Sequence, residues 1–213
     1  MVGDRSNHAM VLHFAQIGYF TLFGVSYLAI LHRPAACINA LCDLASSVLR
    51  KPIFSLMIFS GCVALLWYGS LIHPFILADN RHYTFYIWKA FFRRFRLAKL
   101  VMLPVYVAAA WLIGRALRRR SGDAALATSP PVSSLWLLGY LLAVCLALVP
   151  AHLVEPRYFL VPFLVLHVHA EPMLAGHTWM LVLASILANI LTIGIFLFRP
   201  FVWPDGSIAR FMW

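Results

Sequence analysis

Five polar side chains stand side by side in the stretch LADNRHYTFY, between two long apolar runs. They are Asp79, Asn80, Arg81, His82 and Tyr83. Together they offer a carboxylate, an amide, a guanidinium, an imidazole and a phenol, a set that can bind sugar hydroxyls and an anionic phosphate. Arginine suits phosphate because its planar guanidinium donates two parallel hydrogen bonds. The alternative is a hydrated loop in which Asp79 pairs with Arg81, and residue chemistry alone favours that alternative.

A second polar cluster, in the stretch EPRYF, follows another long apolar run. It contains Glu155, Arg157 and Tyr158. Ionisable residues near membrane depth usually serve a function, which makes this cluster a second candidate for substrate binding. An ion pair between Glu155 and Arg157 that satisfies a kinked helix end is an equally good interpretation.

Other chemical motifs are weak in this sequence. Three histidines, His167, His169 and His177, have no carboxylate or cysteine partner at a metal-binding spacing, so we interpret them as interfacial residues. The stretch GDRS near the N-terminus lacks the second glycine and the lysine of a phosphate loop. The four cysteines show no paired spacing and are expected to be structural. No metal site and no cofactor is predicted, and the sequence leaves a metal requirement open.

The composition places these clusters in a membrane protein. Of 213 residues, 63% are hydrophobic and only 11% are charged, and the mean hydropathy is +0.86. A membrane-spanning helix needs about 20 mostly apolar residues. The predicted fold class is therefore an all-α membrane protein with about five transmembrane helices and interfacial half-helices, forming a single membrane domain over residues 1–213. The predicted spans lie near 10–31, 52–72, 100–117, 133–154 and 177–198, the third only if Arg115 extends to the interface.

The five predicted spans divide the loops between two faces of the membrane. Face one holds the N-terminus, the loop between the second and third spans, and the loop between the fourth and fifth; face two holds the remaining loops and the tail. Basic residues are almost equally numerous on both faces, so the positive-inside rule does not decide the orientation. However, the polar stretches 3–8, 78–86 and 155–159 all fall on face one. This asymmetry predicts a working surface there.

Two further segments are predicted to lie at the interface. The run 158–169 is too short to span, which suits a half-helix that lies on the membrane or re-enters it. If it did span, only the later face assignments would change. The stretch WKAFFRRFRLAK, residues 88–99, places aromatic residues beside cations at helical spacing. We interpret it as a juxtamembrane anchor, with a phosphate-attracting rim as the alternative. The net charge of +10 likewise indicates anionic lipid as a partner and not nucleic acid.

Four stretches together resemble one family of enzymes. They are VGDRSNHAMVLHFAQIGYF, HPFILADNRHYTFYIWKAFFRRF, LVEPRYFLVPF and the terminal WPDGSIARFMW. The chain resembles the C-terminal half of the dolichyl-phosphate-glucose α-1,2-glucosyltransferases, which add the terminal third glucose to the lipid-linked N-glycan precursor. The resemblance implies a multi-spanning glycosyltransferase of the C-type membrane fold in the endoplasmic reticulum membrane. Its partners would be dolichyl phosphate glucose and a diglucosylated dolichyl-diphosphate oligosaccharide.

The resemblance also implies roles for the two clusters on face one, which would be luminal. Arg81 and Arg157 are expected to contact phosphate, and His82 or Asp79 to meet a sugar hydroxyl. The catalytic acidic residue of this fold is expected in an earlier luminal loop that this sequence does not contain, so the catalytic base is unassigned and Asp4 is not proposed for it. The first alternative is therefore an inactive C-terminal fragment acting as a membrane binding or accessory protein. A transporter or channel regulator is disfavoured, because no predicted span carries a central acidic residue.

Overall fold

The protein is almost entirely helical along the part of the chain that its computed structural model describes. This part comprises residues 12–31, 34–69, 86, 88–95, 97–118, 132–151, 156–170, 175–202 and 206–210. The helices are α1 (Ala15–Leu31), α2 (Pro34–Arg50), α3 (Pro52–Tyr68), α4 (Ala98–Arg118), α5 (Ser134–Leu148), α6 (Pro156–His169) and α7 (Ala175–Phe198), and a π-helical turn (Trp88–Phe92) precedes α4. Two short strands, β1 (Phe201–Val202) and β2 (Ile208–Ala209), pair antiparallel. The all-α membrane fold class is confirmed.

Helix α1 is the centre of the bundle, and glycine allows α4 to approach it closely. A Cβ atom added at Gly18 would lie only 2.7 Å from two ring carbons of Tyr106 on α4. Next to this contact, the rings of Tyr19 and Tyr106 meet edge to face with 6.0 Å between centroids. Nearly two turns further, Gly24 faces Leu166 of α6 and Ile113 of α4. Lipid supplies no hydrophobic force between membrane helices, so they associate through close packing. Small residues at the contact allow that packing.

Helices α5 and α6 form an antiparallel hairpin beside α1. The hydroxyl of Tyr140 donates a hydrogen bond of 2.8 Å to the carbonyl oxygen of Pro162, inside α6. At the far end of the hairpin, the Trp136 and His169 rings lie 4.4 Å apart. The run predicted as a half-helix is therefore a helix of 14 residues that returns along α5 almost to the residue where α5 begins.

Two helices are long and apolar enough to cross a membrane, within the described part of the chain. They cover Leu100–Arg118 and Trp179–Phe198, and the pair formed by α2 and α3 passes the same test only when taken together across a bend of 107°. Helices α1 and α3 have 17 residues each and α5 has 15. The other ends of those three predicted spans, at 10–11, 70–72 and 152–154, lie outside the described residues. The count of five spans stays a prediction.

Helix α2 is an element that the spans and loops of the sequence did not predict. It packs against the second half of α4, where the indole Nε1 of Trp111 donates a hydrogen bond of 2.8 Å to the carbonyl oxygen of Ala40. One turn further along both helices, the Arg115 guanidinium lies 2.7 Å from the Asp43 carboxylate. Arg115, expected to extend to the interface, therefore meets an acidic partner on α2 there.

The aromatic and basic stretch at 88–99 is less regular than the continuous interfacial helix that its spacing suggests. The Arg93 amide donates to the Trp88 carbonyl oxygen over 2.8 Å, which closes a single π-helical turn, and α4 begins at Ala98. Cations still lie beside rings, since the Arg93 guanidinium is 6.0 Å from the Trp88 ring centroid. This arrangement fits the anchor interpretation.

The C-terminal segment caps the last helix. The Arg210 guanidinium Nη1 donates to the carbonyl oxygens of Phe196 and Leu197, at 2.8 and 2.9 Å. The last carbonyls of a helix have no partner within the helix, so a nearby cation both bonds them and offsets the negative end of the helix dipole.

Candidate functional site

A buried polar contact joins the beginning of α1 to the end of α5. The His13 amide donates a hydrogen bond of 2.9 Å to the carbonyl oxygen of Val149, and the side-chain Nε2 of Gln16 donates one of 2.9 Å to the carbonyl oxygen of Ala151. Both side chains, His13 and Gln16, are fully buried. An unpaired polar group is expensive to bury, so these two hydrogen bonds, one from a backbone amide and one from a side-chain amide, fix the two helix ends relative to each other.

The end of α3 reaches the same place. Gly69, the residue after α3, lies so close to α1 that an added Cβ atom would be 3.1 Å from a ring carbon of Phe14 and 3.5 Å from the carbonyl oxygen of Leu12. We call residues 12–16, Gly69 and residues 149–151 the face-one junction. Within it, three segments that are far apart in sequence meet at one end of the bundle.

The three segments of the face-one junction adjoin the three polar stretches in sequence. The stretch 3–8 precedes its first segment, the stretch 78–86 follows its second, and the stretch 155–159 follows its third. These are the three polar stretches that the loop order assigns to face one. The described residues that flank the three stretches in sequence therefore lie together at one end of the bundle.

The predicted site residues are only partly within the described chain. Asp79, Asn80, Arg81, His82, Tyr83 and Glu155 lie outside the described residues. Arg157 and Tyr158 are the second and third residues of α6. Arg157 is exposed, and its guanidinium carbon lies 5.4 Å from the centre of the Tyr158 ring, which packs on the core.

The first turn of α6 is fixed to α1 by aromatic packing. Phe159 is buried, and its ring lies 5.8 Å from Phe20 and 5.7 Å from Phe23 of α1, measured between centroids. The N-terminal end of α6, which carries Arg157, is thereby held against α1. Backbone amides at a helix N-terminus carry partial positive charge, so a guanidinium there adds to a field that attracts anions such as phosphate.

The described residues place their acidic chemistry elsewhere. Asp43 is the single acidic residue among them, and it pairs with Arg115 in the last turn of α4, towards face two. The described part also contains no group of three or more His, Cys, Asp or Glu residues that could hold a metal ion. The described part of the face-one junction therefore contains no carboxylate.

The two histidines at the end of α6 take part in ring packing. The His167 ring stacks at 5.8 Å on Phe163, and His169 lies against Trp136 while its Nδ1 is 2.9 Å from the carbonyl oxygen of Val165. Both histidines therefore contact aromatic side chains of the bundle, and their interfacial position stays a prediction.

Sequence reasoning did not select His13 and Gln16. For Gln16 the signal was an amide side chain within the apolar run 10–31, since polar residues inside a span usually contact other polar groups. The His13 bond is made by its backbone amide and leaves no such signal. Their partners could not be read from the sequence, because both acceptors are backbone carbonyls more than 130 residues away.

The fold and the junction define a class of protein: an all-α membrane protein in which residues 12–16, Gly69 and residues 149–151 meet at one end of the bundle. The model of the DIE2/ALG10 family matches residues 1–168, and the chain belongs to this family. This match confirms the resemblance drawn from the sequence motifs.

Relatives with curated names match over the whole chain. A human protein is 31% identical over 214 residues and one from Arabidopsis thaliana is 34% identical over 221; a Drosophila melanogaster protein is 30% identical over 219. All three are named "Dol-P-Glc:Glc(2)Man(9)GlcNAc(2)-PP-Dol alpha-1,2-glucosyltransferase". The chain covers 42%, 40% and 44% of their respective lengths, so it spans about two-fifths of the relatives that it matches. No solved structure matches the chain.

Proposed function

We propose that this chain forms the substrate-binding part of a membrane glucosyltransferase. The enzyme would transfer glucose from dolichyl phosphate glucose to a diglucosylated, dolichyl-diphosphate-linked oligosaccharide in α-1,2 linkage, as a step towards protein N-glycosylation. The observation that carries this proposal is the match of the entire chain to relatives named for that reaction. The names favour an enzyme over an inactive accessory protein, because each describes a transferase.

The site residues would bind substrate phosphate through cationic side chains and sugar hydroxyls through hydrogen bonds. Arg157, at the exposed N-terminal end of α6, would bind a phosphate of one of the lipid-linked substrates, together with Arg81. His82 or Asp79 would bond a sugar hydroxyl. The remaining members, Asn80, Tyr83, Glu155 and Tyr158, would complete the surface. The face-one junction supports this assignment of roles, because it brings together the segments that adjoin these residues in sequence.

The chemistry would be a single displacement with inversion at the anomeric carbon. A general base takes the proton of the acceptor 2-hydroxyl, the new glycosidic bond forms, and dolichyl phosphate leaves with the electron pair of the broken bond. Guanidinium groups beside the departing phosphate would stabilise the charge that develops on it. Face one would be the luminal side of the endoplasmic reticulum membrane.

Rescue of a cell line that lacks the terminal glucosyltransferase tests this function. The human relative would carry the present chain in place of its matching stretch, and the lipid-linked oligosaccharide would be released and its glucose residues counted by mass. We expect the triglucosylated species to return, because the chain would supply the binding surface for the same two substrates.

The control is the same human protein with its matching stretch deleted, which should leave the diglucosylated species. A chimera that reaches the membrane at the level of the human protein, yet leaves only the diglucosylated species, would contradict the proposal.

A further inference from the structure

Helix α2 runs in a very different direction from α3, the apolar helix that follows it. It is bent by 107° from α3, with Lys51 and Pro52 at the bend. Helix α3 is apolar on all sides, and side chains such as Ile53, Phe54 and Met57 are exposed on the protein surface, as in a helix surrounded by lipid. If α3 crosses the hydrocarbon, a helix at 107° to it lies close to the plane of the membrane.

The two sides of α2 differ in character. At 100° per residue, six apolar positions fall within about 120° of its circumference: Ile38, Leu41, Cys42, Ala45, Val48 and Leu49. Ile38 is 60% exposed and Leu49 is 79% exposed. The opposite side carries Ala40 and Asp43, which contact Trp111 and Arg115 of α4. The apolar stripe therefore points away from the bundle.

The contact with α4 also fixes the depth of α2. Arg115 lies in the last turn of a helix that is apolar enough to span, so its ion pair with Asp43 marks the boundary between hydrocarbon and water. Two cations, Arg50 and Lys51, stand at the C-terminal end of α2. The Arg50 guanidinium is held on the polar side by Ser46, whose hydroxyl oxygen lies 3.1 Å from Nη2.

We propose that α2 is an interfacial helix that binds the phospholipid layer on face two. Its apolar stripe enters the boundary between headgroups and acyl chains, and Arg50 and Lys51 bind the phosphates of anionic lipids. An apolar stripe, a polar side at the water boundary and terminal cations are the features by which amphipathic helices recognise such a layer. This inference concerns a surface that is separate from the face-one junction and does not depend on the proposed enzyme activity.

Nitroxide accessibility in vesicles tests the proposal. A version of the chain with its four cysteines replaced by alanine would carry a spin label at Leu41→Cys or Leu49→Cys, or at Asn39→Cys on the polar side as the matched control. The proteins would be reconstituted in phosphatidylcholine vesicles containing phosphatidylserine. Labels at 41 and 49 should collide more with oxygen than with an aqueous nickel chelate, at a depth of about 5–10 Å below the phosphates. The label at 39 should show the reverse preference.

Two other labelling results would overturn the proposal. Preference for the nickel chelate at 41 and 49 would place the stripe in water, and protection from both reagents would place it against a polypeptide; either result overturns the proposal. Arg50→Gln combined with Lys51→Gln should make the label at 49 shallower in vesicles with phosphatidylserine and leave it unchanged in phosphatidylcholine alone. An equal depth in all four measurements would refute the role of anionic lipid.

Discussion

Replacing Arg157 with alanine should lower the rate of third-glucose addition about 10- to 100-fold, the range expected when a hydrogen bond to a charged group is lost. Arg157 is exposed at the N-terminal end of α6, where it can meet a substrate phosphate without displacing core side chains. The measurement is the initial rate in microsomes that contain the chimera, at several concentrations of dolichyl phosphate glucose. Arg81→Ala should reduce the rate in the same way.

The conservative and control variants separate binding from folding. Arg157→Lys keeps the charge and loses the planar pair of donors, so its rate should fall between those of wild type and Arg157→Ala. Arg118→Ala removes an exposed cation at the other end of the bundle and should leave the rate unchanged. If Arg157→Ala reaches the membrane normally and turns over at the wild-type rate, Arg157 does not bind phosphate.

Replacing Gly18 with alanine should destabilise the bundle more than the same change at an open glycine. The new methyl group would lie 2.7 Å from the Tyr106 ring, which is 94% buried and already packed against Tyr19. Overpacking of this kind costs about 1–3 kcal/mol of unfolding free energy. The melting temperature of the detergent-purified chain, measured by loss of monodisperse protein on heating, should fall.

Gly61→Ala is the matched control, because nothing lies within 4 Å of a Cβ atom at that position. Both changes occur in helices and gain the same helix propensity of about 1 kcal/mol, so the difference between the two melting temperatures isolates the clash. Equal melting temperatures would show that α1 and α4 do not pack through Gly18.

The apolar runs predicted most helices well because their signal is local. Each predicted span contains a helix. The number of predicted spans between the three polar stretches assigned all three to one face from the sequence alone. Helix α2 was missed because Asp43 and Arg50 interrupt the uncharged run of about 18 residues by which a span is recognised. Its period of 3.6 was nevertheless present in the apolar positions from Ile38 to Leu49.

Features that depend on distant partners could not be predicted. The length of the run 158–169 predicted a short helix, but its position depends on the contact of Phe159 with Phe20 of α1 and on the hydrogen bond from Tyr140 to Pro162. The contact of Gln16 with Ala151 joins residues 135 positions apart, and no pattern along the chain encodes it. The two-residue strands are too short for periodicity to show.

The central claim is that the three polar stretches share one luminal face. Single cysteines at Ser6, Ala78, Val154 and Ser121, each in the cysteine-free chain, would be treated with a membrane-impermeant maleimide in sealed vesicles from the endoplasmic reticulum. We expect the first three to react only after the vesicles are opened, and Ser121→Cys to react in sealed vesicles. Reaction of any of the first three in sealed vesicles would contradict the claim. Reaction of one or two would place the polar stretches on opposite sides of the membrane, and reaction of all three would place them on the cytosolic side.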